Sequence, residues 1–360
     1  MTRRRWPALV SVLGIALLSV AALEVAARSF WRIEFQLSFR RPSHPLYAFY
    51  PELKFVDAAP PRHDDGFYDV LLLGESVLHH AWGEIEPALQ EQLALAGQPN
   101  VRIFNLAVPA QTTRDSWLKY AALGAARFDL VMLYHGANEA RTNNAPPEMF
   151  REDYSHYSWY AMVNALAPSH GTAVFALAYT LRYAAARARQ RWAPDRYVPT
   201  NEPRAEWVEY GRKVRSVASF EHNVAAILAL ASERGDPVML MTFATHVPAN
   251  YSREAFVEKR LDYRLHKMPV ETWGRREYVM AAVAAHNDVV RRLASEHKEV
   301  LFVDQAALME GSARNFDDPF HLTIEGSVAF VEHVISVLRP HLPRVEAGNG
   351  GDARRAPAKE

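Results

Sequence analysis

The chain has 360 residues, 49% of them hydrophobic, enough for one large or two small domains. Its 41 Lys and Arg balance 41 Asp and Glu, so no strong field favours nucleic acid as a partner. It has no cysteine, which excludes disulfides, thiolate metal sites, a thiol nucleophile and a cysteine-linked lipid anchor.

Arg3, Arg4 and Arg5 precede an apolar run from Trp6 to Leu23, which Glu24 interrupts and Val25-Ala26-Ala27 continues. The span 6–27 is close to the ~20 residues needed to cross a bilayer. Two readings stand: a cleaved signal peptide with small residues near Ala21-Ala22 or Ala26-Ala27, and an uncleaved signal anchor. The length of the run, without a clean Ala-x-Ala and polar break, favours the anchor. Residues 1–5 then stay cytoplasmic. A single pass through the inner membrane leaves everything after Ala27 periplasmic or otherwise extracytoplasmic. Residues 28–66 are rich in Pro, Arg and aromatics, among them Phe30, Trp31, Tyr47 and Tyr50. A free linker is more polar, so this stretch reads as a stalk that packs on the domain or rests near the membrane surface.

From Phe67 to Pro343 short apolar runs alternate with longer helical ones. The runs Val70–Leu73, Val101–Phe104, Leu130–Tyr134, Val238–Phe243 and Val300–Val303 are bounded by polar or turn residues, as buried parallel strands are. Helix-period segments lie between them: Glu84–Ala96 before Gly97, Thr113–Ala126, Ala205–Arg234 before Gly235, Arg275–His297 and Thr323–Leu338. The pattern predicts an α/β fold, a three-layer α/β/α sandwich around a five-stranded parallel sheet. Residues 143–203 break the rhythm with Tyr154, Tyr157, Trp159, Tyr160 and Trp192 and a helical piece from Thr172 to Arg191. This insert reads as a lid, a partner surface, a membrane-facing element or an extra packed helix pair. The Gly- and charge-rich tail, 344–360, is expected to be disordered.

Four segments carry chemistry. Strand-like Asp69–Leu73 runs into Gly74-Glu75-Ser76, with helix-compatible sequence soon after. Asn105-Leu106-Ala107-Val108 follows the second strand, and His135-Gly136-Ala137-Asn138-Glu139 the third. Asp318-Pro319-Phe320-His321 precedes the last helix. The C-terminal ends of parallel strands share one edge, where α/β sheets carry their sites, so Ser76, Ala107 and Asn138 can converge. Acyl transfer needs this set. Ser76 would be nucleophile, His321 its base, and Asp318 the group that fixes the imidazole. The N–H groups of Ser76 and Ala107 and the Asn138 amide would bind the oxyanion.

Over roughly Tyr68 to Leu338 the chain resembles the SGNH/GDSL hydrolases. Gly74-Glu75-Ser76 is similar to the nucleophile segment, with Glu where Asp is usual. Gly136-Ala137-Asn138-Glu139 is similar to the oxyanion-asparagine segment, and Asp318-Pro319-Phe320-His321 to the Asp-x-x-His segment. The family's oxyanion glycine would fall on Ala107. The resemblance implies a flavodoxin-like fold and an acyl ester substrate: a small acyl ester, a lipid ester or an O-acylated carbohydrate. Transfer to an acceptor, or a non-catalytic glycan- or partner-binding module on the same fold, are the alternatives. Each residue also has a plainer reading: Asn138 as a turn or cap residue, Asp318 as a cap, His321 as one of 15 histidines. His79 and His80 read as pocket wall or surface, and His246 as packing. The spacing of His and Glu predicts no metal, and the first strand lacks the Gly-rich turn a nucleotide phosphate needs. Oligomeric state leaves no mark on the sequence.

Overall fold

The computed structural model describes residues 5–62, 65–198 and 204–343. Arg3 and Arg4 of the basic start, residues 199–203 of the insert and the tail from 344 onward lie outside the described residues.

In chain order the helices are α1 (Arg5–Phe35), α2 (Leu53–Ala58), α3 (Ile85–Leu95), α4 (Thr113–Ala122), α5 (Ala137–Thr142), α6 (Ser158–Leu166), α7 (Ala176–Trp192), α8 (Ser216–Arg234), α9 (Arg253–Val257), α10 (Arg276–Glu296), α11 (Gln305–Leu308) and α12 (Ile324–Leu338). The strands are β1 (Tyr68–Gly74), β2 (Val101–Asn105), β3 (Leu130–Tyr134), β4 (Val238–Met241) and β5 (Leu301–Val303). All pair in parallel, in the order β2-β1-β3-β4-β5. Successive side chains of β1 serve opposite faces, as the pleat requires. Val70 and Leu72 join one core with α3 and α12, while Leu71 and Leu73 join the other with α4 and α8. Helix α10 contributes Val279 and Val283 to the first core and Val289 and Leu293 to the second. This is the three-layer α/β/α sandwich expected from the sequence.

Three helix boundaries differ from expectation for local reasons. The helix expected to reach Ala126 stops at Ala122, ahead of Gly124 at φ 60°, a conformation glycine adopts without penalty. The helix expected from Ala205 divides into a 3-10 stretch, Ala205–Arg212, and α8. Asn143 Oδ1 accepts the Arg215 and Ser216 N–H groups at 2.7 and 2.9 Å, capping α8 from a distant segment. Helix α7 starts at Ala176 rather than Thr172, where Glu24 of α1 accepts the Ala176 and Leu177 N–H groups at 2.9 and 2.8 Å.

Among the described residues one helix is long and apolar enough to cross a membrane, Leu9–Phe35. Its early side chains face outward: Leu17 and Leu18 are 70% and 73% exposed. Past Glu24 it meets the folded body. Trp31 is buried and donates its indole N–H to Thr180 Oγ1 at 2.8 Å. Beyond the helix the stalk packs on the body through Leu46, Tyr50, Leu53 and Val56, all buried. Tyr50 donates its hydroxyl to Asp115 at 2.7 Å, and Glu52 pairs with the fully buried Lys119 at 2.5 Å.

Candidate active site

Strand β1 lies between β2 and β3, so the chain leaves it in opposite directions and a crevice opens at its carboxyl end. Ser76 sits there, at the head of a single 3-10 turn, Ser76–Leu78. The helix expected soon behind it begins only at Ile85, so the macrodipole of a full helix is absent from this turn. Gly74 is required by contact: a Cβ on it would lie 2.7 Å from Leu78 Cδ1 and 2.9 Å from the Tyr134 carbonyl.

Ser76 and His321 are 245 positions apart and meet at 2.9 Å, Oγ to Nε2. The other ring nitrogen, Nδ1, lies 2.8 and 3.0 Å from the Asp318 oxygens. The carboxylate is itself anchored. Phe320 and His321 N–H donate to Oδ1 at 2.9 Å each, and Met268 N–H to Oδ2 at 3.2 Å. Asp318 is fully buried and His321 nearly so, so the carboxylate's charge acts on the ring with little screening by water. With Asp318 accepting at Nδ1, the ring carries its proton there and Nε2 is free to accept from the serine hydroxyl.

Asn138 opens α5, directly after β3. The Trp273 indole, which can only donate, gives its N–H to Asn138 Oδ1 at 2.9 Å, which identifies that atom as the oxygen. Arg141 donates to the same atom at 3.3 Å. The opposite end, Nδ2, donates one hydrogen to the Gln111 carbonyl at 3.0 Å and has a second to give. The amide is therefore held from both ends.

The segment after β2 departs from expectation. The Ala107 N–H donates to Asn105 Oδ1 at 3.0 Å, so the hydrogen assigned to the oxyanion already has a partner. Three residues on, Ala110 adopts φ 67°, the left-handed region that disfavours a Cβ. Ala110 and Gln111 line a cavity of about 150 Å³ with Val108, Pro109, Tyr157 and Trp159, so the insert's aromatics wall the space beside this segment. Gln111 Oε1 is buried without a hydrogen-bond partner.

Several residues at the site went unmarked in the sequence. Trp82 stacks on His321, centroids 4.5 Å apart and planes 28° apart. Trp273 steers Asn138. Neither has a spacing signature, since each reaches the site from a loop. Glu75 turns inward and accepts the Ala137 and Asn138 N–H groups at 3.3 and 3.2 Å. Its ligand atoms, with those of His135 and Glu139, lie within 4.8 Å of one another, and all three residues are buried. Burial pushes the Glu75 carboxyl up to about 7, opposed by its hydrogen bonds from Asn138 and Ala137. Burial and the neighbouring Glu75 charge push Glu139 up to about 8, and burial takes His135 down to about 3. Both carboxyls are thus shifted toward the protonated form and the imidazole toward the neutral one.

His79 and His80 stack on each other with centroids 4.1 Å apart, and His80 is exposed. His246 packs between the Tyr263 and Phe316 rings, with Nε2 3.1 Å from the Asp262 carbonyl.

No family model matches the chain, and no curated protein sequence matches it. Among solved structures it is similar to a lipase/acylhydrolase from Enterococcus faecalis, at 14% identity, 78% of this chain, 100% of that one and a TM-score of 0.41. It is also similar to a GDSL-like lipase from Bacteroides thetaiotaomicron, at 12% identity, 81% and 100% coverage and a TM-score of 0.41. A variant of an acetyl xylan esterase from Geobacillus stearothermophilus aligns at 13% identity, 77% and 97% coverage and a TM-score of 0.42. At these identities and TM-scores the likenesses say nothing about the reaction, which is read from the residues themselves.

Proposed function

We propose that the chain is a serine hydrolase of the SGNH type, cleaving an acyl ester with Ser76, His321 and Asp318. The observation that carries this is the Ser76–His321–Asp318 hydrogen-bond relay, at 2.9 and 2.8 Å, between residues far apart in sequence. His321 Nε2 takes the hydroxyl proton as Oγ attacks the acyl carbon. The same nitrogen returns that proton to the departing alcohol. Water, deprotonated in turn by His321, then releases the acid and restores Ser76. The Ser76 N–H and the second Asn138 Nδ2 hydrogen stabilise the oxyanion, each worth about 3–4 kcal/mol where such donors have been removed. Ala107 joins them by exchanging Asn105 for substrate.

Labelling with a fluorophosphonate probe tests the reading. The folded wild type should label on Ser76 and the Ser76→Ala variant should not. A folded wild type that stays unlabelled supports the binding-module alternative. A panel of esters, from acetyl to long-chain and on sugar or glycerol, identifies the acyl group and alcohol that the site prefers. Product esters in the presence of an alcohol acceptor would identify transfer.

The second part of the proposal is location. Helix α1, exposed along its apolar run, anchors the domain in the inner membrane with the catalytic body on the periplasmic side. Retention in the membrane fraction through carbonate extraction is the expected result, and release into the supernatant contradicts it.

A further inference from the structure

Where α1 ends, the chain doubles back and leaves a cavity of about 440 Å³. Arg32, Arg40, Arg41 and Lys54 line it, against one carboxylate, Asp57. Among the described residues none of the four cations is in an ion pair. Four unpaired cations around a concavity repel one another, and an anion relieves that repulsion.

The depth of the cavity identifies the anion. The span 6–27 covers about 33 Å as a helix, against a hydrocarbon core of about 30 Å. Arg28 is then the first cation beyond the core, and Arg32 lies about 6 Å further along the axis. The headgroup layer is about 5–7 Å thick on each side, so the cavity mouth falls within it. Contacts of Arg28 bring two loops of the body to the same level. Arg28 donates to the carbonyls of Phe39 and Val174 at 3.1 and 3.3 Å. Val174 itself and Phe175 after it are 70% and 59% exposed, two apolar side chains at the level of Arg28. Leu37 and Phe39 line the cavity and give it an apolar side suited to glycerol and the first acyl carbons.

We infer that this cavity binds the phosphate headgroup of an anionic phospholipid in the leaflet facing the domain. The bound lipid would fix how far the body stands from the membrane and which face it turns toward it. The inference rests on the anchor reading of α1, and not on the esterase chemistry.

The test uses the full chain in neutral detergent, with phosphatidylglycerol or phosphatidylcholine added and bound lipid read by native mass spectrometry. Wild type should retain phosphatidylglycerol in preference to phosphatidylcholine. The Arg40→Gln/Arg41→Gln/Lys54→Gln variant should lose on the order of 100-fold in affinity for it, while its circular dichroism spectrum and melting temperature, reporting an intact fold, stay at the wild-type values. If that variant fails to fold, the wild-type preference and the single variant Arg41→Gln decide. Equal retention of the two lipids, or an unchanged affinity in the folded variant, overturns the inference. Displacement of the lipid by equimolar inorganic phosphate also overturns it, in favour of a free-anion site. Carbonate extraction separates the two claims: release of the protein from membranes removes the anchor and this inference together, while retention without lipid preference removes this inference alone.

Discussion

The imidazole of His321 is held on three sides: Asp318 at Nδ1, Ser76 at Nε2 and the face of Trp82. The oxyanion amide has equally specific support, since Trp273 and Arg141 hold one end of Asn138 and the Gln111 carbonyl the other. Asn138→Ala should lower kcat by about 100- to 1,000-fold with KM little changed, because this donor is used in the transition state. Trp273→Phe keeps the ring but removes the donor to Oδ1. It should lower kcat by roughly tenfold through the loosened amide, again with KM preserved. Steady-state kinetics on p-nitrophenyl acetate read both. Ala110 offers a test of stability alone: at φ 67° its Cβ is strained, so Ala110→Gly should raise unfolding free energy by about 1 kcal/mol in urea titrations.

Among the elements, the stalk is tied to the segment that supports the site. Glu52 reaches the buried Lys119, whose ammonium also donates to the Leu106 carbonyl at 2.6 Å. Tyr50 and Trp159 donate to one oxygen of Asp115, and Tyr160 to the other, so stalk and insert meet on the carboxylate that caps α4. Glu52→Ala strands a buried ammonium and should destabilise the fold by about 3 kcal/mol in chemical denaturation. The strands were legible in sequence because each is a short apolar run with polar ends. So was the relay, since Gly74-Glu75-Ser76 and Asp318-Pro319-Phe320-His321 are local patterns. The surroundings of the third oxyanion donor were not: its place in the motif marks Ala107, but not the bond its N–H already donates two residues back, to Asn105 Oδ1. Trp82, Trp273 and the cap on α7 by Glu24 were hidden for the same physical reason: they act across tertiary contacts that no spacing records.

For the molecule as a whole, buried titrating groups behind the nucleophile couple stability to pH. Glu75 and Glu139 bind protons more tightly when folded, at about 7 and about 8 against an ordinary 4.5. Their contribution is full below 4.5 and is lost as pH rises through 7 to 8, because the unfolded chain ionises freely there. His135, at about 3 against an ordinary 6.5, works in the other direction: its contribution is full above 6.5 and is lost as pH falls toward 3. Melting temperature should therefore decline between pH 6.5 and 8. In Glu139→Gln, which stays neutral, the decline should be shallower, and an unchanged slope would show that this carboxyl does not titrate in that range. The central claim, that one hydroxyl carries the reaction, is met most directly by p-nitrophenyl acetate turnover of the purified full chain beside its Ser76→Ala variant. The account predicts that kcat/KM falls by at least about a thousandfold while the circular dichroism spectrum is unchanged. A folded Ser76→Ala protein that keeps turnover within tenfold of wild type would contradict it.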